Sequence, residues 1–147
     1  MLAVAALVVA LDQAAKAAIV GSMELGERTD LALGFDLTRV MNSGIAFGLF
    51  SDGSDAAVLA FTGGALALIV GWFAFDTTRP LLWLGVGLLS GGAIGNLIDR
   101  ITDGAVTDFL DPPLWPAFNV ADVAITAGVF VIAISALASP AEQPAEP

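Results

Sequence analysis

Long apolar stretches recur along the chain and are separated by shorter polar segments. A membrane-crossing helix needs about 20 mostly apolar residues, and four stretches meet this requirement. They cover residues 2–20, 56–75, 81–98 and 119–138. Asp12, Gln13 and Lys16 interrupt the first stretch, whereas the second carries no charged side chain. The pattern predicts an all-α membrane protein with four transmembrane helices, forming a single domain over residues 1–138.

Two longer polar segments join these spans. In residues 21–55, side chains alternate between apolar and polar from Leu31 to Val40, and glycines occur at several turns. This predicts a small strand-rich segment between helices 1 and 2. Residues 99–118 form the second segment. Four spans return the chain to its starting side, so we expect both segments on one membrane face and both termini on the other. Residues 139–147 are rich in Pro and Glu and are predicted to be a disordered tail.

Composition supports a membrane protein and narrows its chemistry. Hydrophobic residues make up 57% of the 147 residues and charged residues 14%, against about 25% charged in soluble domains. The chain has no His and no Cys. This excludes His-based triads, Cys nucleophiles, His-ligated metals and disulfides. We expect neither a metal nor a cofactor. A net charge of −10 with five basic residues argues against nucleic acid as a partner.

Polar side chains cluster where the bilayer should disfavour them, at a cost of about 2.5–3.5 kcal/mol for each mid-helix charge. They fall into four closely spaced pairs: Asp12 with Lys16, Asn96 with Asp99, Asp108 with Asp111, and Asn119 with Asp122. The end of span one, the end of span three and the start of span four lie on the same side in the predicted topology. All four pairs are therefore expected at one membrane face.

Each pair also has a simpler interpretation. Asp12 and Lys16 are four residues apart on one helix face, which suits an ion pair that makes the helix insertable. Asn119 is a favoured N-cap residue, and Asp122 would then suit the helix dipole. The remaining polar groups have equally ordinary roles: Asp99 and Arg100 as interfacial anchors, and Asp108 and Asp111 as solvated loop residues. None of these interpretations explains why the pairs share one face.

Two aspartates that face each other at a membrane edge can hydrolyse a peptide bond. Mutual repulsion and desolvation leave one carboxyl protonated and the other ionised. The ionised partner can activate water while the protonated one binds the scissile carbonyl. Buried carboxylates also serve proton or cation relays in transport subunits, and a structural membrane subunit is a third alternative. The lack of an internal repeat favours the protease over a transporter.

Five motifs resemble those of one family, lipoprotein signal peptidase, also called signal peptidase II. They are Leu11-Asp12-Gln13 with Lys16; Asn42-Ser43-Gly44-Ile45-Ala46-Phe47-Gly48; Gly91-Gly92-Ala93-Ile94-Gly95-Asn96-Leu97-Ile98-Asp99-Arg100; Val106-Thr107-Asp108-Phe109; and Phe118-Asn119-Val120-Ala121-Asp122 with Ile125. Any single motif is weak, but their order and spacing over most of the chain are specific. Ile45 and Thr107 depart modestly from the usual family residues.

The resemblance implies an aspartyl endopeptidase of the bacterial inner membrane, with both termini cytoplasmic and the active site near the extracytoplasmic face. It implies cleavage of prolipoprotein signal peptides just before the diacylglyceryl-modified cysteine. Asp108 and Asp122 match the catalytic pair. Supporting or substrate-binding positions fall on Asp12, Lys16, Asn42, Gly44, Asn96, Asp99, Arg100 and Asn119. The expected partners are lipidated prolipoprotein signal peptides and membrane lipid, and we expect a monomer.

Overall fold

The computed structural model describes residues 1–43 and 81–138. Between these ranges it describes five helical residues, Gly63, Gly64, Ala67, Val70 and Gly71. Most of the span predicted at 56–75 therefore lies outside the described residues, as do Gly44 and the tail 139–147. The prediction of four helices is neither confirmed nor contradicted by the described part of the chain.

Three helices in the described part are long and apolar enough to cross a membrane: α1 (Leu2–Ser22), α2 (Leu82–Asp103) and α3 (Val120–Leu137). Helix α2 ends five residues later than the span predicted at 81–98. The helix ends at Asp103 and is capped by Gly104, whose φ of 75° lies in the left-handed region that glycine adopts without penalty. Asp99 and Arg100 are consequently helical residues and not the start of a loop.

Helix α2 lies between the other two helices and is the most buried of the three. Its glycines allow close approach. A Cβ atom at Gly91 would lie 2.7 Å from the Cβ of Val8 in α1. A Cβ atom at Gly92 would collide with the Ala121 carbonyl oxygen in α3. Lipid tails are as apolar as the side chains of a membrane helix, so the hydrophobic effect does not drive helices together in a membrane. Small residues at the contacts instead let the helix backbones approach closely.

A three-stranded antiparallel sheet covers one end of the helices. It consists of β1 (Arg28–Asp30), β2 (Asp36–Asn42) and β3 (Val106–Asp111), with β2 in the centre. The strand-rich segment predicted between helices 1 and 2 is confirmed. A short 3₁₀ turn, Ala32–Gly34, interrupts the predicted alternation between Leu31 and Val40. The third strand comes from the segment between α2 and α3, where the pattern predicted no strand.

The sheet packs on the C-terminal end of α1. Ile19 and Met23 form a small buried cluster with Phe109 of β3. Arg39 of β2 donates hydrogen bonds to the carbonyl oxygens of Val20 and Met23, at 3.4 and 2.9 Å. These carbonyls are at the end of α1, where they lack helical partners. Apolar contact and capping thus hold the sheet against the ends of the helices that carry the polar residues.

Candidate active site

Most of the polar residues singled out in the sequence meet where the three helices reach the sheet. The group comprises Asp12 and Lys16 of α1, Asn96 and Asp99 of α2, Asn42 of β2, Asp108 of β3, and Asn119 and Asp122 at the start of α3. The prediction that these positions converge is confirmed for the residues the structure describes. Gly44 lies outside them.

Asp108 is almost completely buried, with 2% of its surface exposed. Asn42 donates to its Oδ2 atom at 2.9 Å, and Asn119 donates to its Oδ1 atom at 2.7 Å. Burial raises the pKa of this carboxyl from 3.8 to about 6, and the charge of Asp122 adds to the rise. The two amide hydrogen bonds and the charge of Lys16 act in the opposite direction. The solvated-loop interpretation of Asp108 is therefore wrong.

Asp122 occupies the third position of α3. Its Oδ1 atom accepts a hydrogen bond from Asn96 at 2.9 Å, and its Oδ2 atom accepts one from the Asn119 backbone N–H at 3.2 Å. The Asn119 side chain in turn accepts from the Asp122 backbone N–H at 3.0 Å, which completes a capping box. The N-cap interpretation is thus confirmed. The cap also holds the Asp122 carboxylate in a fixed orientation beside Asp108.

Asn119 contacts both aspartates and has no exposed surface. Its backbone and side-chain oxygen engage Asp122, while its side-chain nitrogen donates to Asp108. The chain reaches this position because Phe118 bridges to Leu110 of β3 through two backbone hydrogen bonds of 2.9 Å. The connection from β3 to α3, which contains Pro112, Pro113 and Pro116, therefore returns to the strand beside Asp108.

A second buried layer lies behind the two aspartates. The ammonium of Lys16 lies 2.8 Å from carboxylate oxygens of both Asp12 and Asp99, and donates to the Asn96 side-chain oxygen at 3.0 Å. The predicted ion pair of Asp12 and Lys16 is confirmed, but Lys16 also joins α1 to α2. Asp12 accepts a hydrogen bond from the Ala121 backbone N–H at 2.9 Å. It thereby satisfies a donor at the N-terminus of α3 that has no helical partner.

Three polar residues differ from expectation. Gln13 belongs to the first motif but is not among the predicted site residues, and its side-chain nitrogen donates to Asp99 at 2.8 Å. Its position next to Asp12 in the sequence is the feature that could have predicted this role. Arg100 donates to the Asn96 backbone oxygen at 3.4 Å, while Asp99 pairs with Lys16. Asp111 forms an ion pair with Arg28 of β1 and is separate from the buried layer.

An apolar groove of about 510 Å³ runs along α3 from the site. Asp122 contributes to its wall, and the other lining residues are Trp115, Phe118, Val123, Thr126, Ala127 and Phe130. Within residues 1–43 and 81–138, no group of three or more acidic side chains is arranged to hold a metal ion. The site thus places the Asp122 carboxyl in the wall of a mostly apolar groove, while the buried Asp108 carboxyl is linked to Asp122 through Asn119.

The chain is similar to proteins of one family. The family described as signal peptidase (SPase) II matches residues 4–138. A lipoprotein signal peptidase from Pelotomaculum thermopropionicum is 43% identical over 129 residues, covering 87% of this chain and 85% of the relative. One from Moorella thermoacetica is 40% identical over 147 residues, covering 99% and 98%.

Two solved structures also match. A bacterial membrane enzyme determined by the in meso method at 2.3 Å resolution superposes with a TM-score of 0.84 at 30% identity, covering 97% of this chain and 92% of that one. A second, at 1.9 Å resolution, gives a TM-score of 0.83 at 31% identity, covering 93% and 92%. With a family match over nearly the whole length and relatives of about the same size, this chain belongs to the signal peptidase II family.

Proposed function

We propose that the chain is an aspartyl endopeptidase that removes signal peptides from lipid-modified prolipoproteins, cleaving before the diacylglyceryl-cysteine. The substrate class comes from the names of the relatives, which are lipoprotein signal peptidases. The observation that carries the catalytic assignment is Asn119, which hydrogen-bonds Asp108 and Asp122 at once. In the described part of the chain, these two carboxyls are hydrogen-bonded to the same asparagine next to the apolar groove.

The pair would hydrolyse the peptide through a tetrahedral intermediate. The ionised carboxylate takes a proton from water, and the water oxygen attacks the scissile carbonyl carbon. The protonated carboxyl gives its proton to the carbonyl oxygen, which produces a gem-diol. The C–N bond then breaks as a proton passes to the amine, and a new carboxyl terminus remains on the signal peptide. The two groups share one proton as a unit, and burial favours Asp108 as its holder.

The groove beside Asp122 supports an apolar, membrane-embedded substrate. Its walls combine three apolar side chains of α3 with Trp115 and Phe118 at the sheet end. A signal peptide is apolar in its central region, so its burial in this groove would bring the cleavage site to the two carboxyls. Membrane lipid would border the same opening.

The membrane arrangement that we propose has four spans, with the second formed by residues 56–75. Both termini are cytoplasmic, the sheet and the aspartates lie at the extracytoplasmic face of the bacterial inner membrane, and the enzyme acts as a monomer. The ionisable side chains of α2 and α3 lie at the sheet end of each helix, and those of α1, at its midpoint and one turn later, reach the same cluster. A proton or cation relay would need such groups along the membrane depth, so this distribution favours the protease.

Cleavage of a lipidated prolipoprotein by purified protein in liposomes tests the proposal. Asp108→Asn and Asp122→Asn each remove one carboxyl with little change in shape. We expect each substitution to lower kcat by about 1,000-fold, since each variant lacks one of the two groups that transfer protons. Asp111→Asn is the matched control, because Asp111 lies on the same strand as Asp108 but pairs with Arg28.

The control should cleave at nearly the wild-type rate. Near-normal cleavage by either dyad variant would mean that the catalytic carboxyls have been misassigned. Failure of the folded wild-type protein to cleave would reject the proposed reaction altogether.

A further inference from the structure

Lys16 is the one lysine of the chain and is 4% exposed. Its ammonium has three acceptors: Asp12 and Asp99 at 2.8 Å, and the Asn96 side-chain oxygen at 3.0 Å. An ammonium has three N–H donors and no acceptor, so each donor has one partner. Two of the partners neutralise charge. The third is an uncharged amide, so charge balance alone does not account for that contact.

The Asn96 side chain has two different ends with different neighbours. Its oxygen faces two donors, Lys16 at 3.0 Å and the Asn119 side-chain nitrogen at 3.1 Å. Its nitrogen faces the carboxylate of Asp122 at 2.9 Å. The oxygen and nitrogen of an amide have nearly the same shape, and the neighbours decide which way it points. Reversing the Asn96 amide would set an NH₂ group against Lys16 and an oxygen against Asp122.

We propose that Lys16 is a positioning residue for the catalytic pair: its ammonium fixes the orientation of the Asn96 amide, so that Asn96 donates to Asp122. The inference rests on the proposed function, because it assumes that Asp122 is catalytic. The Asn119 nitrogen donates to the same Asn96 oxygen, alongside Lys16, and also to Asp108 at 2.7 Å. The hydrogen bond that Lys16 directs therefore ends at Asp122, while Asn119 presents a donor to Asp108.

Removing Lys16 alone would leave Asp12 and Asp99 buried without a cation, which destabilises the fold whatever the role of Lys16. The test therefore uses Asp99→Asn as its background. Lys16→Met/Asp99→Asn and Lys16→Gln/Asp99→Asn each remove one positive and one negative charge, so the net charge of the cluster is unchanged. Met and Gln have side chains of equal length, and of the two only Gln can donate to Asn96.

We expect the Gln variant to cleave lipidated prolipoprotein close to the rate of Asp99→Asn. The Met variant should lose about 10- to 100-fold in kcat, the usual effect of a lost supporting partner, with KM changed less than about three-fold. A purely structural role would lower the amount of folded protein in both variants and would not separate their kcat values.

Asn96→Asp in the wild-type background provides a test that does not need Lys16 to be replaced. It keeps an acceptor for Lys16 but offers Asp122 an oxygen in place of a donor, and we expect a loss of similar size. Equal kcat for the Met and Gln variants, or full activity of Asn96→Asp, would overturn the inference. If the dyad variants Asp108→Asn and Asp122→Asn retained activity, the proposed function itself would fail instead.

Discussion

At the scale of single residues, Asp108 combines two environments that oppose each other. Burial disfavours its charge and raises its pKa to about 6, while hydrogen bonds from Asn42 and Asn119 favour the charge. A carboxyl with a pKa in this range can hold or release a proton near neutral pH, which is what general acid–base chemistry requires. The same burial makes the ionised form costly to the fold.

This cost predicts a pH-dependent effect of Asp108→Asn on stability. A folded-state pKa above the ordinary value stabilises the fold below pH 3.8, and this stabilisation is lost as the pH rises through about 6. The wild-type protein should lose up to about 3 kcal/mol between these limits, and Asp108→Asn should not. Thermal unfolding in detergent at about pH 4.5 and about pH 7.5 measures the difference.

Asp111→Asn again serves as the control, because its carboxyl is paired with Arg28 and lies outside the buried layer. We expect the stability of Asp108→Asn relative to wild type to increase with pH, and that of Asp111→Asn not to. A constant difference between Asp108→Asn and wild type across this pH range would contradict the buried-charge explanation.

At the scale of elements, the contact between α2 and α3 sets the geometry of the site. Asn96 lies on α2 and Asp122 on α3, so the hydrogen bond between them depends on how closely the two helices approach. Gly92 lies one turn before Asn96 and directly faces the Ala121 backbone. The absence of a side chain at this position lets the helix backbones touch.

Gly92→Ala should therefore weaken both the fold and the proposed activity. The added methyl group would meet the Ala121 carbonyl oxygen and Ile125, and the backbone cannot yield without separating the helices. We expect a loss of about 1–3 kcal/mol in unfolding free energy, together with reduced cleavage, as Asn96 moves away from Asp122. Thermal unfolding and the cleavage assay report the two effects.

The matched control is Gly21→Ala, near the end of α1. A Cβ atom at Gly21 has no neighbour within 4 Å, and alanine favours a helix over glycine by about 1 kcal/mol. This variant should be as stable as wild type or slightly more so. Equal behaviour of the two alanine variants would show that the close contact at Gly92 does not matter.

At the scale of the whole molecule, each of the three described helices has one end at the sheet, and α3 runs antiparallel to α1 and α2. The end of α1, the end of α2 and the start of α3 all reach the polar cluster. At the other end, Met1 lies against Gly87, and Gly85 lies against Gly128 and Ile132. The N-terminus and the end of α3 are therefore on the same side, remote from the proposed active site.

Cysteine labelling can test the proposed orientation, because the chain has no cysteine of its own. In a bacterial host, an impermeant maleimide should label Thr29→Cys on the sheet in intact spheroplasts. It should label Ala138→Cys only after the membrane is permeabilised. Leu7→Cys, on the exposed surface of α1, is the control and should resist labelling in both conditions because lipid covers it. The opposite order for Thr29→Cys and Ala138→Cys would place the sheet in the cytoplasm.

The sequence by itself determined the three membrane helices of the described residues, the strand-rich segment and the convergence of the polar residues. They depend on the length of each apolar stretch, on the alternation of apolar and polar side chains and on the number of membrane crossings. All three can be read directly from the sequence. The motifs also identify Asp108 and Asp122 as the proposed catalytic pair. Residue spacing is sufficient to predict the convergence because each of the four closely spaced polar pairs lies on one helix or one short segment.

Only the tertiary structure decided how these residues interact. Four features depend on residues from different elements. They are the pairing of the third strand, the burial of Asp108, the contact of Asp12 with Ala121 and the direction of the Asn96 amide. Such contacts depend on how helices and sheet pack, and no local pattern encodes them. The sequence therefore identified most of the side chains that meet at the proposed site, whereas packing determined which of them donate, which accept and which are shielded from water.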